Sequence, residues 1–111
     1  MSFDFLKEAE TIERELIANR RYIHAHAETG FDVAGTVAFV KEKLEEYGLQ
    51  PKPVTDKGVV ATIGKGEPVI LFRADMDALP GEELANVDFR SEKNMHMCGH
   101  DMHTTMLLGV A

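Results

Sequence analysis

The sequence predicts an α/β layered domain, and three observations carry that prediction. Apolar residues recur at threes and fours over two N-terminal segments, which is helix spacing. Short β-branched runs separated by glycine turns follow after Gln50. One of them, Pro68-Val69-Ile70-Leu71-Phe72, is continuously apolar, the pattern of a strand covered on both faces by helices.

The first helix is predicted from Phe3 to about His24, with Phe5, Ala9, Ile12, Leu16 and Ile23 on one face and Glu8, Glu10, Glu13 and Glu15 on the other. Gly30 and neighbouring polar residues end it. A second helix follows, with Asp32 as its N-cap, Val33, Val37, Val40 and Leu44 as its buried stripe, and Gly48 at C′. Lys41 and Glu45 are spaced to pair across one turn of it. Val54-Thr55, Val59 to Ile63 and Val69 to Phe72 read as strands, divided by Asp56-Lys57-Gly58 and Gly64-Lys65-Gly66. Residues 78 to 97 read as polar and irregular, and a last helix starts near Asp101.

Composition narrows the function. A chain of 111 residues with 44% hydrophobic and 28% charged residues suits one soluble globular domain. The net charge of -7 argues against nucleic acid or an anionic membrane surface as partner, since both would repel it. The single cysteine cannot form an internal disulfide, the N-terminus lacks a signal-peptide pattern, and no apolar run approaches the ~20 residues that span a bilayer. The expected compartment is the cytoplasm.

Chemistry concentrates in two places. Met95-His96-Met97-Cys98-Gly99-His100-Asp101-Met102-His103 gathers the only cysteine and three histidines, all ligand types that zinc favours. His96, Cys98 and His100 alternate, while His100 and His103 are spaced to share a helix face. Taken singly, Cys98 would pass for a small buried hydrophobe and each histidine for a surface residue; together they point to a metal. The other place is Arg73-Ala74-Asp75-Met76-Asp77, two acids just past an apolar run. Strand ends of α/β sheets present side chains to ligands there, and an acid can fix the tautomer of a metal-binding imidazole. A plain strand-terminating turn with solvated acids fits the same residues.

Arg73-Ala74-Asp75-Met76-Asp77-Ala78-Leu79-Pro80, followed by Met95 to Thr104, closely resembles the metal-dependent amidohydrolases of the aminoacylase/carboxypeptidase group. The nearest branch holds hippurate hydrolases, auxin-conjugate hydrolases and N-acetyldiaminopimelate deacetylases. Arg20-Arg21-Tyr22-Ile23-His24-Ala25-His26-Ala27-Glu28 resembles that branch's opening.

The resemblance implies that residues 1–111 are the N-terminal part of a three-layer α/β/α zinc-peptidase-like catalytic domain, without the lid domain. It implies two divalent metal ions per intact site (zinc, manganese, nickel or cobalt) and a small N-acyl amino acid as substrate. Cys98 and His100 match metal ligands, and Asp75, rather than Asp77, matches the catalytic acid. His103 is the candidate substrate contact. Related branches carry a metal-binding histidine where this chain has Arg73. Ala27 stands where proline is usual, and Gly81 where the residue is commonly apolar. The family's Glu-Glu pair with its general base, and two later histidines, would lie past Ala111, so the piece alone is expected to be inactive. Its apolar end, Met106 to Ala111, and its sheet edges lead to an expected homodimer or larger self-association.

A second hypothesis needs no further sequence: a stand-alone metal-binding module closed by His96, Cys98, His100 and His103. A redox-sensing thiol at Cys98 is a third, and no resolving cysteine accompanies it.

Overall fold

The computed structural model describes residues 2–111. Four helices and four short strands follow in the order α1 (Phe5–Thr11), α2 (Glu13–Ala25), α3 (Ala34–Glu46), β1 (Lys52–Val54), β2 (Gly58–Val60), β3 (Leu79–Pro80), β4 (Asn94–Met95) and α4 (His100–Val110). No helix among the described residues is long and apolar enough to cross a membrane.

The predicted first helix is two. Asp4 caps α1 by accepting the Lys7 N–H at 3.1 Å. At Ile12 the ladder tightens, its N–H bonding the Ala9 carbonyl at 3.2 Å in a 3₁₀-type turn. That turn re-phases the chain. Helix α1 buries no residue, whereas α2 buries Asn19, Ile23 and His24.

Helix α3 starts at Ala34 behind Val33, not behind an Asp32 cap. Its first N–H groups are satisfied from farther away. Glu28 accepts from the Gly35 and Thr36 amides at 3.2 and 2.5 Å and from the Thr36 hydroxyl at 2.7 Å. A carboxylate at a helix N-terminus also meets the positive end of the dipole. The predicted Lys41–Glu45 pair gives way to Lys43–Glu46 at 3.2 Å. The C-terminus agrees with the sequence: Gly48 takes φ +82°, its N–H bonds Glu45 O, and the Leu49 N–H bonds Leu44 O. This pairing closes a helix on a left-handed residue.

β1 and β2 form an antiparallel hairpin in the register Lys52↔Val60, Pro53↔Val59, Val54↔Gly58. It covers α3, where Val40 and Leu44 join Leu108 of α4 in an apolar cluster edged by Phe39, Tyr47, Leu49, Val59 and Ala61. Helix α4 crosses α2 closely at Gly109, where an added Cβ would lie 2.9 Å from a Leu16 methyl.

Two expectations fail beyond the hairpin. Val69, Ile70, Leu71 and Phe72 form no strand and are between 63% and 81% exposed. A strand needs a neighbouring backbone, and none of the described residues pairs with this run. Conversely, the segment read as irregular folds back on itself, β3 pairing with β4 through Leu79↔Met95 and Pro80↔Asn94. Ala78 donates its N–H to Glu28 O and bridges Thr29 in parallel, so the acid-bearing segment is fastened to the turn after α2. Gly81 sits beneath Met97, whose methyl would be 2.7 Å from any Cβ there.

Candidate metal centre

His100 is the first residue of α4, preceded by Gly99 at φ +91°, a conformation that suits glycine. The left-handed turn redirects the chain so that the His100 ring meets the 73–78 segment. Its Nδ1 lies 3.0 Å from Asp77 Oδ1 and 2.9 Å from Asp77 O. Both partners are acceptors, so Nδ1 carries the proton and Nε2 is left with its lone pair. Nε2 faces Asp75 Oδ2 at 3.9 Å. An imidazole anchored through one nitrogen by a carboxylate, with the other free, is the usual arrangement of a metal-binding histidine.

Asp75 is held from two sides. The Arg73 guanidinium donates to its Oδ1 at 2.5 Å, and the Thr104 hydroxyl of α4 donates to its backbone carbonyl at 2.9 Å. Cys98 is an exposed free thiol in the loop before α4. His103 is exposed, its ring centroid 5.8 Å from that of His100.

The four-ligand closed module is not assembled. His96 is turned inward, 5% exposed, while Cys98 and His103 face outward. No three His, Cys, Asp or Glu side chains are placed to hold a metal ion among the described residues. The donors that do converge are a partial set of the right chemistry: an oriented imidazole and a carboxylate, with a thiol two residues away. Such donors suit zinc and its neighbours.

Two buried histidines, His96 and His24, shape the site from behind. His96 has neither ring nitrogen hydrogen-bonded, and burial pushes its pKa below the usual range. Its ring lies 6.3 Å from that of His24, a 3%-exposed residue of α2. His24 touches Asp101 Oδ2 through Nδ1 at 2.8 Å and Glu83 Oε1 through Nε2 at 2.7 Å. Burial alone would raise both carboxyls. The hydrogen bonds from His24, with backbone amides and the Arg20 charge, outweigh it and hold both below the usual carboxylate range. The pairing of Asp77 with His100, and the roles of Glu83 and His24, carried no local signal, because their partners lie 23 to 77 residues away in sequence.

Comparison with known proteins places this architecture. Residues 71–111 match Peptidase family M20/M25/M40. The N-acetyl-L-cysteine deacetylase of Bacillus subtilis is 45% identical over 106 residues, covering 91% of this chain and 26% of that protein. The N-acyl-L-amino acid amidohydrolase of Geobacillus stearothermophilus is 43% identical over 105 residues, 90% of this chain and 28% of that protein. A solved Bacillus subtilis structure, described as a dinuclear metal-binding peptidase from the M20 family, superposes with a TM-score of 0.83. It is 38% identical, covering 89% of this chain and 29% of that one.

The fold is therefore that of a portion of an M20-type α/β peptidase domain. Over residues 71–111 the chain is similar to Peptidase family M20/M25/M40, and it spans about a quarter of the length of the curated relatives it matches.

Proposed function

We propose that the chain is the N-terminal, metal-bearing part of an amidohydrolase that cleaves the amide bond of N-acyl amino acids. The observation that carries the reading is His100: Nδ1–H is committed to Asp77, and Nε2 faces the Asp75 carboxylate. The names of the two enzymes most directly compared, a deacetylase of an N-acetyl amino acid and an N-acyl amino acid amidohydrolase, support the substrate class.

On this reading Cys98 and His100 hold metal, and Asp75 stands beside it, oriented by Arg73 and Thr104. A bound divalent ion supplies Lewis acidity and a water of lowered pKa. This chain's residues do the orienting. Asp77 keeps the His100 tautomer, and Thr104 fixes the backbone of Asp75 against α4. His103, exposed at the same helix end, is the proposed substrate contact. The remaining ligands and the general base come from the length of the relatives that this chain does not span, so the 111-residue chain by itself is inactive.

A chimera tests this. Residues 1–111 replace the equivalent segment of the Bacillus subtilis deacetylase, and amine release from N-acetyl amino acids is followed with metal content measured in parallel. The expected result is a metal-replete, active chimera that Asp75→Asn inactivates. A folded, metal-replete chimera without turnover, or one indifferent to Asp75→Asn, would contradict it.

A further inference from the structure

The most completely buried polar cluster of the molecule lies behind the metal-site segment and touches none of its proposed ligands. His24 stands between Asp101, which is 1% exposed, and Glu83, which is 5% exposed. Its two ring nitrogens point at one carboxylate each. Carboxylate oxygens accept hydrogen bonds. Each ring nitrogen lies within hydrogen-bond distance of one of them, so the His24 ring bridges Asp101 and Glu83.

The surroundings complete the charge balance. Arg20 Nε donates to the same Asp101 oxygen at 2.9 Å, and the Ser91 N–H donates to the other Glu83 oxygen at 2.9 Å. The Phe89 ring packs edge-on to His24 and beneath Arg20 and Arg21. The Arg20 guanidinium and the His24 ring thus face two buried carboxyl groups. A buried set of this kind adds little net stability over apolar packing, but removing one member leaves uncompensated charge.

Its location decides what it does. Asp101 follows His100 in the first turn of α4, and Glu83 opens the loop that leads to β4, His96 and Cys98. His24 joins α2 to both through its own ring nitrogens. A turn of helix is stiff, so the direction of Asp101 sets the direction of His100 one residue before it.

We propose that His24 is a positioning residue: by donating to Asp101 and Glu83 at once it fixes the rotation of the first turn of α4 and the path of the loop, and so presents His100 and Cys98 to metal. The inference rests on the metal reading above.

The test is cobalt(II) binding by the chain, followed by visible absorption and chelator competition, with circular dichroism as the fold control. His24→Gln has a donor at one atom only and cannot brace both carboxylates. It is expected to stay helical, to weaken cobalt(II) binding by about 10-fold, as loss of an outer-sphere partner does, and to alter the thiolate-to-cobalt band. Glu83→Gln still accepts from His24 through its amide oxygen and is expected to lose less cobalt(II) affinity than His24→Gln does. Cys98→Ser and His100→Ala separate the two readings. If they weaken binding while His24→Gln leaves affinity and spectrum unchanged, the positioning role is overturned and the metal reading stands. If they too leave binding unchanged, the metal reading falls and takes the inference with it. Should His24→Gln unfold, nitrogen-15 spectra of the unaltered chain in slightly acidic buffer decide. Slowly exchanging protons on both His24 ring nitrogens support the brace, and a proton on one nitrogen alone refutes it.

Discussion

Replacing Asp77 by alanine removes the carboxylate that orients His100 and leaves every proposed ligand in place. Loss of an outer partner of a metal-binding imidazole typically costs 10-fold to 100-fold in affinity, about 1.4 to 2.7 kcal/mol. Two features place this case at the low end. The backbone carbonyl of Asp77 also accepts from Nδ1, at 2.9 Å, and survives the substitution. The carboxylate is 38% exposed, so water screens its charge. The expected loss for Asp77→Ala is therefore about 10-fold in zinc affinity, read by competition with a chromophoric chelator at fixed pH. His100→Ala should lose considerably more. An Asp77→Ala chain that binds zinc as tightly as the unaltered one would refute the orienting role. A loss equal to that of His100→Ala would make Asp77 a ligand itself.

Three further outcomes are expected. Glu83 has a carboxyl pKa lowered in the folded chain, so its contribution to stability is complete above the unfolded value near ~4.3 and drains away as pH falls through the native value. Urea unfolding at decreasing pH should show this slope, and Glu83→Gln should flatten it; an equal slope in both counts against the buried pairing. Tyr47, whose hydroxyl donates to Glu15 at 2.9 Å, has its pKa pushed up from 10.0 to about 12, chiefly by burial and then by that carboxylate. Ultraviolet titration of the phenolate should find one late tyrosine that Glu15→Gln brings down, and no change would contradict the contact. The exposed run Val69 to Phe72 should drive self-association, so light scattering at micromolar concentration should report a dimer or larger species that Ile70→Lys, Phe72→Lys reduces. A strict monomer would refute this.

The parts of the fold legible in the sequence are those fixed by near neighbours. The α3 stripe of Val33, Val40 and Leu44 follows from 3.6-residue spacing, and Gly48 ends the helix because its φ of +82° is open to glycine. The Asp56–Lys57 turn between β1 and β2 is equally local. What failed depends on distant partners. Asp32 looked like the cap of α3, but Glu28 reaches across the turn and satisfies the same amides. The apolar run at Val69 carries the composition of a buried strand, and composition does not supply the neighbouring backbone that makes one. At the site, Cys98 and His100 stood out because metal-binding residue types crowd one short stretch. The choice between Asp75 and Asp77 could not be read there, since it turns on which nitrogen of His100 each acid meets.

Zinc-edge X-ray absorption of the zinc-loaded chain tests the central claim most directly. The claim is that Cys98 and His100 together supply donors to one ion. The expected spectrum contains a sulfur scatterer at about 2.3 Å beside imidazole nitrogen at about 2.0 to 2.1 Å. Cys98→Ser should remove the sulfur shell, and His100→Ala should diminish the imidazole contribution. A shell of oxygen and nitrogen alone, indifferent to Cys98→Ser, would contradict the assignment.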